Sequence, residues 1–225
     1  MKVRDIMTTN VFTVPVDMPL KQVATRMLEY GISGLPVVDE EQCVVGVLSE
    51  TDILYKERTA PKRDGLVDWL VHYGEDPPAA KLNARTAGQA MTSPAVTITP
   101  RRSVADAAEL MLEVGIDRLP VVDAGQLVGI VTRADLVRAF TRGDEEIELE
   151  IRRDVLLAKL WLDPAEVKVQ VKDGYVTLEG RVDDEGVAEQ ILNCTQRVPG
   201  VVSVEPRNRR GRAAIGETIV EPSAA

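Results

Sequence analysis

Apolar positions along the chain fall into two runs that echo each other. In the first, Leu20, Val23, Ala24, Met27 and Leu28 recur at intervals of three and four, one face of a helix. In the second, Val104, Ala107, Ala108, Met111 and Leu112 do the same. Gly31 and Gly115 follow and suit a left-handed C-cap. Behind each glycine come "LPVVD", a turn, and then "VVGVLS" or "LVGIVT", which read as strands too apolar for a wet sheet face. Helices are expected to cover them. A short strand around "VFTV" or "AVTI" precedes each first helix, and a last helix opens near Asp52 or Asp135.

The two runs are copies. Met7 falls on Met91, Thr13 on Thr97 and Pro36 on Pro120 at a constant offset of 84. After a turn that is one residue shorter the offset is 83, setting Gly46 on Gly129, Ser49 on Thr132 and Asp52 on Asp135. Within "GISGLPVV" and "GIDRLPVV" the apolar frame is unchanged, and only Ser33/Asp117 and Gly34/Arg118 differ. The frame predicts duplicated architecture; the two differences predict unequal work.

Between the copies, "GLVDWLVHYG" carries Leu66, Trp69, Leu70 and Tyr73 at helical spacing, so a short docked helix is expected inside a linker over 57–85. His72, the sole histidine, has no second histidine to share a metal and reads as structural or surface. After Arg142 the texture changes. Ile147, Ile151, Val155, Ala158 and Leu162 trace a helical stripe that Pro164 closes. "VKVQV" and "YVTLEGRV" alternate around "KDG", a hairpin with an Asp-Gly turn. A helix over 184–197 and a strand in "PGVVSV" complete an α-β-β-α-β order. The tail over 207–225, with Arg207, Arg209, Arg210 and Arg212, reads as solvated and disordered.

Composition narrows the function classes. Hydrophobic residues make up 44% of the 225 but aromatics only 4%, so aliphatic side chains and methionine must fill the core. A net charge of −9 argues against broad nucleic-acid binding. Cys43 and Cys194 have no metal-ligand spacing and are expected to be reduced thiols. "MKVRDIMTTN" opens no signal-like apolar stretch, and no apolar run is long enough to span a bilayer, so a cytoplasmic protein is the expectation. With no phosphate loop, dinucleotide fingerprint, "CxxC" pair or carboxylate–histidine cluster, neither an enzyme, nor a metal site, nor a required cofactor is expected.

"GISGLPVVDEEQCVVGVLSETDIL" and "GIDRLPVVDAGQLVGIVTRADLV", with the entrances "DIMTTNVFTV" and "QAMTSPAVTI", resemble the CBS domain. Two in tandem, over 1–56 and 86–141, look like a CBS pair or Bateman module. The resemblance implies an α/β pair with pseudo-twofold symmetry and two clefts that take adenine nucleotides: AMP, ADP or ATP. It also implies that Ser49/Asp52 and Thr132/Asp135 contact ribose and phosphate and that Arg118 faces phosphate. The bland alternative is that Ser49 and Thr132 only cap helices. The simplest arrangement is one principal site on Thr132, Asp135 and Arg118, with the Ser49/Asp52 cleft weaker or vacant. In the other, Arg118 reaches across to Ser49 and Asp52.

Residues 145–206, through "VKVQVKDGYVTLEGRV" and "VPGVVSV" with Gly174, Gly180 and Gly200, resemble a BON domain, a small α+β module. That resemblance implies a partner protein or a phospholipid surface. CBS resemblance further implies a homodimer through the helices, with Met27, Met111 and neighbouring leucines and valines covering the joint. Three readings stay open: a ligand-responsive regulator with the BON-like module as output, an assembly scaffold without nucleotide, or a peripheral phospholipid binder.

Overall fold

In a computed structural model of the chain, residues 1–57, 79–180 and 184–207 are described. The expected helix with Leu66, Trp69, Leu70, His72 and Tyr73 lies outside the described residues, as does the tail beyond 207.

The first copy runs β1 (Val14–Pro15), α1 (Leu20–Tyr30), β2 (Gly34–Val38), β3 (Val44–Ser49) and α2 (Glu50–Glu57). Its sheet has the order β1-β2-β3, with β1 parallel and β3 antiparallel to β2. Two short helices follow, α3 (Ala79–Leu82) and α4 (Ala87–Ala90). The second copy supplies α5 (Val104–Val114), β4 (Arg118–Asp123), β5 (Gln126–Thr132) and α6 (Arg133–Phe140). Gly31 (φ 61) and Gly115 (φ 71) end α1 and α5 in the left-handed conformation, as their positions predict. "AVTI" forms no strand; Ile98 makes only an isolated parallel bridge to Val121.

The helical stripes are narrower than the sequence implies. Leu20, Val23 and Met27 are buried on α1, and Val104, Ala107 and Met111 on α5. Leu28 and Leu112, one residue and so about 100° further round, are 82% and 74% exposed. Met27 and Met111 therefore belong to the core, and the leucines beside them form the outer surface.

The described residues divide into two compact units. One holds Met7–Arg101 with Arg118–Val131, so its members come from both copies. Here the two entrances are exchanged. Thr8 exchanges both backbone hydrogen bonds with Ile130 of β5, each 2.9 Å. Thr92 does the same with Val47 of β3, at 2.8 and 3.0 Å. A Cβ at Gly129 would run into the Met7 side chain, and one at Gly46 into Met91. Both glycines are open notches for the other copy's methionine.

The other unit holds Met1–Ile6, Arg102–Asp117 and the chain from Thr132 onward. In it α7 (Asp144–Glu150) continues into wider π turns over Ile151–Leu157. Then come β6 (Val167–Lys172), β7 (Tyr175–Gly180), α8 (Glu185–Gln196) and β8 (Ser203–Arg207). The sheet order is β6-β7-β8, with β7 antiparallel to β6 and parallel to β8. Ile147, Ile151, Leu156, Leu178 and Ile191 fill its core. Over the wide turns the ordinary helical spacing lapses: Val155 and Leu156 are both buried, whereas Ala158, expected inside, is exposed. Asp173 (φ 52) and Gly174 (φ 77) make the predicted hairpin turn. Asp144 accepts hydrogen bonds from both of their N–H groups, at 2.7 and 2.9 Å, and so ties α7 to the turn.

In the same unit Ser103 caps α5 in a reciprocal box with Asp106, and Arg197, just after α8, reaches the Asp106 carboxylate at 3.3 Å. Partial burial pushes the Asp106 carboxyl up. The N–H and hydroxyl of Ser103, helped by Arg102 and Arg197, outweigh it and hold the group below the usual carboxylate range. The stabilisation is present above the unfolded pKa and is lost as pH falls through the lowered folded value. Urea unfolding of wild type and Asp106→Asn should therefore diverge towards neutrality and converge in acid.

Gly174 offers a second test, because a Cβ there would lie 2.5 Å from the Gly200 carbonyl oxygen in a positive-φ backbone. Gly174→Ala should cost about 1–3 kcal/mol of unfolding free energy. A loss below about 0.5 kcal/mol, the scale of an ordinary surface change, would contradict this account of the turn.

Candidate functional site

The end of β3 and the start of α2 meet at Ser49 and Asp52. The Ser49 N–H and hydroxyl both donate to Asp52 Oδ2, at 2.8 and 2.7 Å, and the Asp52 N–H donates back to Ser49 Oγ at 3.4 Å. Thr132 and Asp135 repeat the arrangement where β5 passes into α6, at 2.9, 2.7 and 3.3 Å. These are capping boxes with aspartate in the N3 position. Helix capping thus accounts for both hydroxyls. It does not account for the second oxygen of either carboxylate, although both aspartates are buried, at 5% and 7% exposure.

That second oxygen has a cation in each copy, but from different sources. Asp52 Oδ1 pairs with Lys81 of α3, whose ammonium also donates to Thr92 Oγ1 at 2.9 Å. Asp135 Oδ1 pairs at 2.8 Å with Arg138, one turn further along α6. The Lys81 side chain is 14% exposed and that of Arg138 is 74% exposed.

Arg118 begins β4, and its Nη2 donates to Ser33 Oγ of the first copy at 3.2 Å. Gly34 pairs with Ser49 across β2 and β3, and the Glu50 N–H donates to the Ser33 carbonyl at 3.0 Å. A Cβ at Gly34 would overlap the Arg118 guanidinium and lie 2.8 Å from the Leu48 carbonyl oxygen. The two positions that distinguish the copies are thus one physical feature: Gly34 leaves the notch and Arg118 fills it. Of the five residues expected to bind ligand, Ser49 pairs with Asp52 and Thr132 with Asp135, while Arg118 stands with Ser33 at the first copy's strand end. Arg118 thus reaches across to the first copy, the second of the two arrangements expected, because Gly34 gives the guanidinium room beside Ser33. Asp117, the counterpart of Ser33, is tied to Arg133 at 3.1 Å.

Lys81, Thr92 and Arg138 were not anticipated. Arg138 follows Asp135 by three residues and is legible from helical spacing. Lys81 lies outside the repeat and has no counterpart to flag it. Chemically, the first copy's strand end combines a guanidinium suited to an anion with a carboxylate suited to a diol. Among the described residues, no group of three or more His, Cys, Asp or Glu could hold a metal ion. Nor is any described helix long and apolar enough to cross a membrane.

A family model of the CBS domain matches residues 3–58 and again 87–142, and one of the BON domain matches 143–207. CBS domain-containing protein YhcV of Bacillus subtilis is 34% identical over 134 residues, 60% of this chain and 81% of that protein. Protein MJ1404 of Methanocaldococcus jannaschii is 33% identical over 215 residues, 90% of this chain and 50% of its own length. The chloroplastic CBSX2 of Arabidopsis thaliana is 30% identical over 157 residues, 65% of this chain and 66% of its own. The chain thus spans half to two thirds of the length of these last two curated relatives. A crystal structure of CBSX2 in complex with AMP has 32% sequence identity and a TM-score of 0.51, covering 61% of this chain and 94% of that one. The chain belongs to the CBS-domain proteins, with two CBS domains in tandem followed by a BON domain.

Proposed function

We propose that this protein is a regulator that binds an adenine nucleotide at the first CBS domain's strand end and passes its occupancy to the BON domain. One observation carries the reading: Arg118 fills the notch at Gly34 beside the Ser49–Asp52 box. Phosphate would take the guanidinium and the Ser33 hydroxyl, and the ribose diol would take Asp52. A single guanidinium there favours a nucleotide with few phosphates. The relative CBSX2, crystallised with AMP, supports the same ligand class.

The output path rests on continuity within one unit. Helix α6 opens on the Thr132–Asp135 box and ends at Phe140, three residues before α7 begins. The first residue of α7, Asp144, holds the BON hairpin turn, and a Cβ at Gly200 would lie 3.3 Å from the Phe140 carbonyl oxygen. Arg118, the proposed phosphate anchor, directly follows Asp117, which Arg133 at the start of α6 holds at 3.1 Å, so binding would be read by a helix joined closely to the BON domain.

Calorimetry with AMP, ADP, ATP and their guanine counterparts tests the binding. Arg118→Ala should weaken adenine-nucleotide affinity by about 1.5–3 kcal/mol, the scale of a charge-assisted hydrogen bond. Asp52→Ala should weaken it comparably and blunt discrimination against 2′-deoxy-AMP. No heat with any adenine nucleotide at millimolar concentration would overturn the proposal.

Assembly as a homodimer belongs to the same reading. Leu28 and its counterpart Leu112 are exposed, and so are Leu54 and its counterpart Val137, both at 64%. Large apolar side chains exposed at matching positions of both copies fit a self-association surface. Light scattering should give a dimer at micromolar concentration and a monomer for Leu28→Glu/Leu112→Glu. A monomeric wild type would rule this out.

A further inference from the structure

Lys81 gives the first CBS domain something that the second lacks. Both carboxylate oxygens of Asp52 are already engaged by the chain. Oδ2 accepts the Ser49 N–H and hydroxyl, and Oδ1 accepts the Lys81 ammonium. The lysine is fixed at a second point by Thr92 Oγ1, and its side chain is 14% exposed, so it is packed over the carboxylate rather than swinging in solvent. Asp135 has the same inner contacts, but its outer partner is Arg138, 74% exposed and drawn from the same helix. An exposed arginine can turn away at the cost of one solvated contact, and such pairs contribute little. Removing Lys81 from Asp52 strips a buried carboxylate of its cation, which is costly unless the ligand replaces the contact.

We infer that Lys81 is a built-in occupant of the ribose-acceptor position in the first CBS domain and decides which ligands enter there. The inference rests on the nucleotide reading above. A ribose diol reaching Asp52 Oδ1 competes with the ammonium packed over it, so a ligand with a second strong anchor, a phosphate on Arg118, competes best. A nucleoside without phosphate is rejected. Displacement also frees α3, the described end of the inter-domain insert, from its two polar anchors on the first domain. Ligand occupancy and the attachment of the insert are thereby exclusive.

The test compares full-length wild type with Lys81→Met, which keeps the hydrocarbon stem, using AMP and adenosine in calorimetry. Lys81→Met should bind AMP roughly tenfold more tightly, the factor expected for one charge-assisted contact no longer contested. It should also bind adenosine measurably, and Asp52→Asn in the same background should abolish both gains. Unchanged or weaker AMP binding by Lys81→Met, with wild-type binding still dependent on Arg118, would overturn the inference and leave the nucleotide reading intact. If AMP binds neither protein, the nucleotide reading falls and the inference with it. Hydrogen exchange on wild type needs no variant to fold: AMP should speed exchange of the amides at 79–82, and unchanged or slower exchange would count against Lys81 as the displaced group.

Discussion

The reciprocal exchange of the two entrance segments is the constraint on which the rest depends. Each entrance adds its backbone to a strand of the other copy, Thr8 to Ile130 and Thr92 to Val47. The contact is close because Gly129 and Gly46 carry no side chain where Met7 and Met91 lie. This explains why glycine sits in the middle of both "VVGVLS" and "LVGIVT", where a strand would otherwise favour a β-branched residue. The exchange also brings Thr92 to the first domain, where its hydroxyl becomes the second anchor of Lys81. A feature that reads as packing thus helps to set the chemistry at Asp52.

On this symmetric frame the two domains have diverged by a few atoms. Their capping boxes agree to within 0.1 Å in each corresponding distance, since helix entry demands the same geometry in both. The differences that change the charge lie in groups that capping does not use. Gly34 admits Arg118 beside Ser33, whereas the second domain has Asp117 tied to Arg133. Lys81 closes over Asp52, whereas Arg138 lies open beside Asp135. Duplication thus gives two helix entrances of matching geometry, and the residues around each set the charge it presents.

Much of this was legible in the sequence. The duplicated frame, the C-cap glycines, the Asp-Gly hairpin and the hydroxyl–carboxylate boxes follow from local rules of backbone conformation, which need only neighbouring residues. Misreadings arose where three-dimensional neighbours decide. Periodicity admits Leu28 beside Met27 on one stripe, but packing takes only the inner residue. A stripe drawn with ordinary helical spacing places Ala158 inward, while the wide turns over Ile151–Leu157 bring Leu156 there. Adjacency in "DRLPVV" leaves open whether Arg118 serves its own domain or the other, and the notch at Gly34 shows where its guanidinium lies. Lys81 carries no signal at all, because it belongs to neither repeat.

The central claim is that the arginine of one domain and the carboxylate of the other serve a single nucleotide. A crystal structure of the full chain grown with AMP tests it most directly. The account predicts phosphate oxygens within hydrogen-bonding distance of the Arg118 guanidinium, ribose hydroxyls on Asp52 Oδ1, and the Lys81 ammonium withdrawn from that oxygen. AMP bound with its phosphate away from Arg118, or with Lys81 still on Asp52 and the ribose elsewhere, would contradict it.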